Sequence, residues 1–175
     1  SKSHTTVLEV NLDAMTHNLS YFRRFLPMNH RVVAMVKAHS YGAGDVEVAQ
    51  LLQRQGVAYL AVAFADEGVV LREKGITMPI LVLNADAESF DKMVAYNLEP
   101  EIYSFHSLTD FSRSVESYGR KEYPIHIKLD TGLWRRSYSN SSSGCRLTKV
   151  SGWPLSLPIC RVPICRRRMI SHAVR

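Results

Sequence analysis

The chain has 175 residues, 46% hydrophobic and 22% charged, which is the make-up of a globular domain with a core of its own. No apolar run approaches the ~18 residues of a membrane span, and the opening SKSHTT lacks the basic-then-apolar layout of a secretory leader, so the cytoplasm is the expected compartment. The formal net charge of +6 does not describe the body: residues 1–132 carry 13 Lys and Arg against 16 Asp and Glu, whereas residues 133–175 carry 9 Lys and Arg and no acid.

In chain order, VLEVNL (7–12) predicts a short strand. Asp13 then has the chemistry to cap a helix, DAMTHNLSYFRRFL, with Leu12, Met15, Leu19, Phe22 and Leu26 at helical spacing. Residues 31–37 predict a strand whose unbroken apolar run suits cover on both faces, followed by a helix capped by Asp45 and stopped by Gly56. The alternation continues with strands at 57–63, 78–84, 99–104 and 123–130. Between them stand the helical stretches ADEGVVLREKG, SFDKMVAYN and SLTDFSRSVESYG, with Gly75 and Gly119 as stops. Six strands alternating with helices predict βαβ units, a parallel sheet and right-handed crossovers. Two α/β architectures remain open at this point, a doubly wound open sheet and an incomplete (β/α)8 barrel. Both place chemistry at the carboxyl ends of the strands.

Lys37 stands at such an end, in VVAMVKAHSYGAG. A lysine there can simply snorkel to solvent. It can also be a desolvated amine able to form a Schiff base with a carbonyl compound. Tyr41 offers a hydroxyl four residues on. Gly42 and Gly44 allow backbone to come close to a ligand, and the helix beginning near Asp45 would favour an anion such as phosphate.

These residues resemble a known family. VKAHSYGAG is similar to the pyridoxal phosphate lysine motif of alanine racemases, and HIKLDTG (126–132) is similar to that family's second signature. LEVNLDAMTHNLSYFRRFL, YLAVAFADEGVVLREKGITMPILVLN and YNLEPEIYSFHSL also sit in register with the amino-terminal barrel domain of that enzyme. They look closest to the racemase half of bacterial polypeptides in which it is fused behind the ligase for D-alanyl-D-alanine addition to the cell-wall precursor. The resemblance covers residues 5–132.

It implies an incomplete (β/α)8 barrel of about six of the eight βα units, with pyridoxal 5′-phosphate as cofactor. Lys37 would carry the cofactor and act as one acid/base, and Tyr41 would hold the phosphate. Leu83 and Arg135 would also contact the cofactor, and Lys128 would be a candidate for carbamylation. The implied substrate is alanine, interconverted between its L and D forms for peptidoglycan synthesis by a homodimer whose partner subunit supplies the second base.

Beyond DTG the family pattern breaks. Leu133 stands where methionine is expected, and Arg136-Ser137-Tyr138 replaces Leu-Gly-Phe. The acid-free segment 133–175, holding Cys145, Cys160 and Cys165, reads as an irregular basic tail and as an out-of-frame translation. Without the last strands and a carboxy-terminal domain, a fragment with little or no activity of its own is expected. A pyridoxal phosphate-binding homeostasis protein and a basic-tailed binding protein are the alternatives.

Other signals take their plain readings. Gly42-x-Gly44 lacks the third glycine of a dinucleotide fingerprint, Glu47 standing there. No histidine or cysteine spacing suits a metal, and His126 is expected to be a packed or hydrogen-bonded neighbour of the site. Asp66 and Glu67 meet the positive end of a helix, and nucleic acid is not an expected partner.

Overall fold

The computed structural model describes residues 6–28 and 30–128 together with the backbone of residues 159 and 160. Helix α1 (Leu12–Arg23) is followed by strand β1 (Val33–Met35), the single turn α2 (Lys37–Tyr41), α3 (Asp45–Arg54) and β2 (Tyr59–Val62). Then come α4 (Ala65–Glu73), β3 (Ile80–Val82), a 3-10 turn at Ala87–Ser89, α5 (Phe90–Ala95), β4 (Glu99–Ile102), α6 (Phe105–Ser117), β5 (Ile125–Ile127) and β6 (Ile159–Cys160).

The sheet runs in chain order, β1 to β6, with β1 to β5 parallel. The predicted βα alternation therefore holds, with corrections at its ends. Residues 7–12 form no strand; Val7 and Leu8 are exposed, and α1 already starts at Leu12. Among the described residues the expected six βα units reduce to four complete units and a fifth strand. The two-residue β6 runs antiparallel to β5, opposite to the direction that barrel continuation requires. The rest of the tail, including Arg135 and the proposed frame change, lies outside the described residues.

Two caps differ from expectation. Asn11, not Asp13, caps α1, its Oδ1 accepting from the Ala14 amide at 2.9 Å. Gly44, not Asp45, stands before α3. Both predicted aspartates fall in the first turn instead, where a carboxylate still meets the positive end of the helix dipole. The predicted stops Gly56, Gly75 and Gly119 all take positive φ just past their helices.

The main core lies between the sheet and its helices. Leu60, Val62, Ile80 and Val82 point into it from the strands, and Met93, Leu98, Phe111 and Val115 meet them, all fully buried. Phe111 packs edge-on against Phe90 at 5.2 Å and against Tyr123 at 5.3 Å, and the hydroxyl of the buried Tyr123 is shared between the Met93 and Leu98 carbonyls. At the amino ends of β3 and β4 the Arg72 guanidinium donates to four backbone carbonyls, those of Ile76, Met78, Tyr96 and Asn97, at 2.7–3.0 Å. Of the predicted apolar face of α1, Leu12, Met15 and Leu19 pack on this core, while Phe22 is exposed beside Tyr21 and Phe25.

The other face of the sheet is concave. Tyr59 on β2 and His126 on β5 are three strands apart, about 14 Å in a flat sheet. Their rings nevertheless meet edge to face at 5.3 Å. The strands therefore curl as in a (β/α)8 barrel. β1 forms one border of this sheet, which is why Val33 and Met35 are partly exposed on the inner side although the sequence suggests cover on both faces.

Candidate functional site

Strand alternation assigns the inner residues. Register pairs Met35 with Ala61, Ala61 with Leu81 and Leu81 with Glu99, so these four share a row. The next row toward the carboxyl ends includes Leu83, Glu101 and His126, and Lys128 follows one step higher. Lys37, two residues beyond Met35, emerges at the same end. The structure thus brings Lys37, Tyr41, Leu83 and Lys128 to the carboxyl rim. Leu83 packs partly buried against Tyr59, Ala61 and Leu81.

The backbone behind Lys37 is unusual. Ala38, His39, Ser40 and Tyr41 all have φ between 51° and 57°, a left-handed helical turn of four non-glycine residues ending at Gly42 with φ 91°. Such a conformation costs about 1–2 kcal/mol per residue, roughly 4–8 kcal/mol for the run, because each Cβ crowds the following carbonyl. Surrounding contacts hold it. The Ser40 amide donates to the Val36 carbonyl at 3.1 Å and the Gly42 amide to that of Ala38 at 3.2 Å, while Val36 and Ser40 are buried. His39 Nδ1 meets Asp45 Oδ2 at 3.0 Å. From α4, Glu67 Oε1 accepts the Ala38 amide at 2.8 Å, and its Oε2 accepts those of Ala63 at 2.7 Å and Phe64 at 3.1 Å.

The turn leaves the Lys37 side chain partly buried and the Tyr41 ring exposed. The start of α3 does not offer the anion site expected there. Asp45 Oδ1 takes the Val46 amide at 2.9 Å, and Glu47 adds a second carboxylate to the same turn. Repulsion from these groups disfavours a phosphate at that helix start.

On the inner wall two pairs bridge β4 and β5. His126 Nε2 lies 2.7 Å from Glu99 Oε2 with both side chains buried, as expected of a hydrogen-bonded neighbour of the site. Lys128 Nζ lies 3.5 Å from Glu101 Oε2. Burial pushes the Glu101 carboxyl above its ordinary range, and the Lys128 ammonium opposes part of that rise.

The sequence reading gave Glu67 only a place at a helix start and missed Glu99 and Glu101. The two strand carboxylates were detectable as a two-residue period, Glu99 and Glu101 on one strand against His126 and Lys128 on the next, which puts four polar groups on one face. Among the described residues no group of three or more His, Cys, Asp or Glu side chains could hold a metal, and no helix is long and apolar enough to cross a membrane.

Comparison with known proteins shows the family. Residues 10–137 match the family model described as alanine racemase, N-terminal domain, a span that includes Arg135. An alanine racemase of Geobacillus stearothermophilus is 42% identical over 132 residues, 74% of this chain and 33% of the relative. Alanine racemase 2 of Bacillus subtilis is 39% identical over 130 residues, 73% of this chain and 33% of the relative. The solved alanine racemase of Clostridium difficile 630 in complex with cycloserine superposes with a TM-score of 0.68 at 35% identity, over 72% of this chain and 35% of that one. The chain spans about a third of the length of the curated relatives it matches.

Proposed function

The chain belongs to the alanine racemase N-terminal domain family, and on that footing we propose that it is the cofactor-binding portion of a pyridoxal phosphate-dependent racemase that interconverts L- and D-alanine. The observation that carries this reading is the placement of Lys37 at the carboxyl rim of a curled parallel sheet, followed at once by a strained turn.

The residues present fit the cofactor. Lys37 offers a partly buried amine, Tyr41 a phenol on the same turn and Leu83 an apolar side chain on the inner wall. Pyridoxal phosphate, when bound, supplies an electron sink that acidifies the Cα–H of an amino acid. Lys37 would anchor the aldehyde and afterwards move a proton at the substrate Cα. Tyr41 would donate its hydroxyl proton to a phosphate oxygen, Leu83 would exclude water from one side of the ring, and Arg135 would add a cation. Lys128, its Nζ 3.5 Å from Glu101 Oε2, would stand on the rim beside these groups, and carbamylation there would set a second carboxylate next to Glu101.

Racemisation needs a second base on the opposite face of the substrate, and we assign it to the partner subunit of a homodimer. D-alanine for peptidoglycan synthesis in the cytoplasm is the expected product. The resemblance of LEVNLDAMTHNLSYFRRFL to fused ligase and racemase polypeptides supports a bifunctional parent, and the composition change after Gly132 supports a shifted reading frame. Sequencing the DNA on both sides of that codon tests both readings.

The test of function is direct. Mixing the chain with pyridoxal phosphate should produce a visible absorption band, and borohydride should then fix the cofactor to Lys37, as read by peptide mass. Lys37→Ala should abolish both. A folded chain that stays unlabelled at Lys37 sinks the proposal. Labelling without any conversion of L- to D-alanine by this chain, even at high concentration, is the result expected of the portion alone, and of a carrier protein. Conversion restored by supplying the remainder of a racemase would favour the first.

A further inference from the structure

The geometry points to Glu67 as a positioning residue that fastens the left-handed turn behind Lys37 to the start of α4 and so sets the direction in which the lysine amine is presented. Its carboxylate joins two loops, one of them 29 residues before it in sequence: Oε1 accepts the Ala38 amide at 2.8 Å, and Oε2 accepts the amides of Ala63 at 2.7 Å and Phe64 at 3.1 Å. Capping of α4 explains the Phe64 contact, because a Glu at the third helical position commonly reaches back to the residue before the helix. It does not explain the Ala38 contact.

Ala38 opens the left-handed run, with φ 51° and ψ 53°, so the amide of the residue next to Lys37 is pinned where the strain begins. A strained backbone persists only while neighbours over-determine it. Releasing the Ala38 amide would let the turn relax toward right-handed or extended conformations, swinging Lys37 and Tyr41 relative to Leu83. A carboxylate suits this position better than an amide: both of its oxygens accept, whereas glutamine would set an NH2 group against one set of donors.

What the clamp does for chemistry rests on the proposed role of Lys37; the clamp itself does not. The test uses the full chain with Glu67→Gln and Glu67→Asp, read by hydrogen exchange of peptides 36–44 and 65–73 and by the rate at which pyridoxal phosphate and borohydride label Lys37. Losing a charge-assisted hydrogen bond should speed exchange over 36–44 by about tenfold or more and slow labelling by a similar factor. A role confined to helix capping would speed exchange over 65–73 and leave 36–44 alone. That result, or labelling at the wild-type rate, overturns the inference.

A wild-type chain that is not labelled at all sinks the cofactor reading instead, and exchange over 36–44 then decides the clamp by itself. If neither variant folds, the wild-type amide resonances decide. Those of Ala38, Ala63 and Phe64 should each show a scalar coupling across the hydrogen bond to the Glu67 carboxylate carbon, and its absence at Ala38 while the other two show it overturns the clamp.

Discussion

Glu101 and Lys128 face each other at 3.5 Å from neighbouring strands, the carboxylate buried and the ammonium about half exposed. Burial dominates, and the Glu101 carboxyl is raised above its usual range in spite of its partner. A carboxyl whose folded value lies above its unfolded one favours the fold most while protonated. Its contribution is full below the unfolded value and is lost as pH rises through the folded one. Glu101→Gln, which mimics the protonated group, should therefore match the parent near pH 4 and exceed it in urea resistance at pH 7. A stability gap that is constant with pH, or that shrinks toward neutrality, would contradict this. Lys128→Met, which removes the opposing charge, should raise the Glu101 carboxyl further and widen the loss at pH 7.

Arg72 donates to four backbone carbonyls, all of them outside the helices and strands, at the amino ends of β3 and β4. Arg72→Ala should destabilise the fold by about 3 kcal/mol or more, since each orphaned acceptor costs on the order of 1 kcal/mol. Arg72→Lys should recover little, because an ammonium cannot spread its donors over the same fork. Chemical denaturation of the three proteins checks both statements, and near-complete recovery by lysine would refute the second.

The left-handed turn gives a reversal of the usual glycine rule. Ala38→Gly removes a Cβ from a crowded conformation and should be neutral or stabilising by up to about 1 kcal/mol, relief of strain opposing the greater freedom of the unfolded chain. Ala49→Gly, in the middle of α3 and fully buried, should cost about 1 kcal/mol or more. Thermal or urea unfolding of the pair should show a loss for Ala49→Gly alone, where helix propensity by itself predicts a loss for both; equal losses would mean that the turn is not strained.

His126 and Glu99 form a buried pair at 2.7 Å. His126→Leu alone leaves a carboxylate buried without its partner and should cost about 3–5 kcal/mol, whereas the double change with Glu99→Leu should regain most of that. A double-mutant cycle measures the coupling, and additive losses would show that the two side chains do not act as a pair.

The sequence made the alternation of strands and helices readable because the residues facing the helices, such as Leu60 and Val62 or Ile80 and Val82, are uniformly apolar and the stops are glycines. Residues 7–12 misled because alternation of apolar and polar residues describes a strand only if another strand lies alongside, and pairing is a property of the fold. The turn at Ala38–Tyr41 was not readable, since Ala, His, Ser and Tyr carry no preference for positive φ; tertiary contacts impose it. Lys37 stood out because a charge ended an apolar strand. Glu67 did not, because a carboxylate opening a helix is common and the amide it reaches lies on another loop.

The Arg72 fan lies at the opposite end of the sheet from Lys37. The floor is thus tied together by one side chain, and the lysine proposed to react stands at the mouth. An engineer could graft foreign loops after β2, β3 or β4, exchanging the groups around the amine for ones with another substrate preference, while the floor keeps the strands in register.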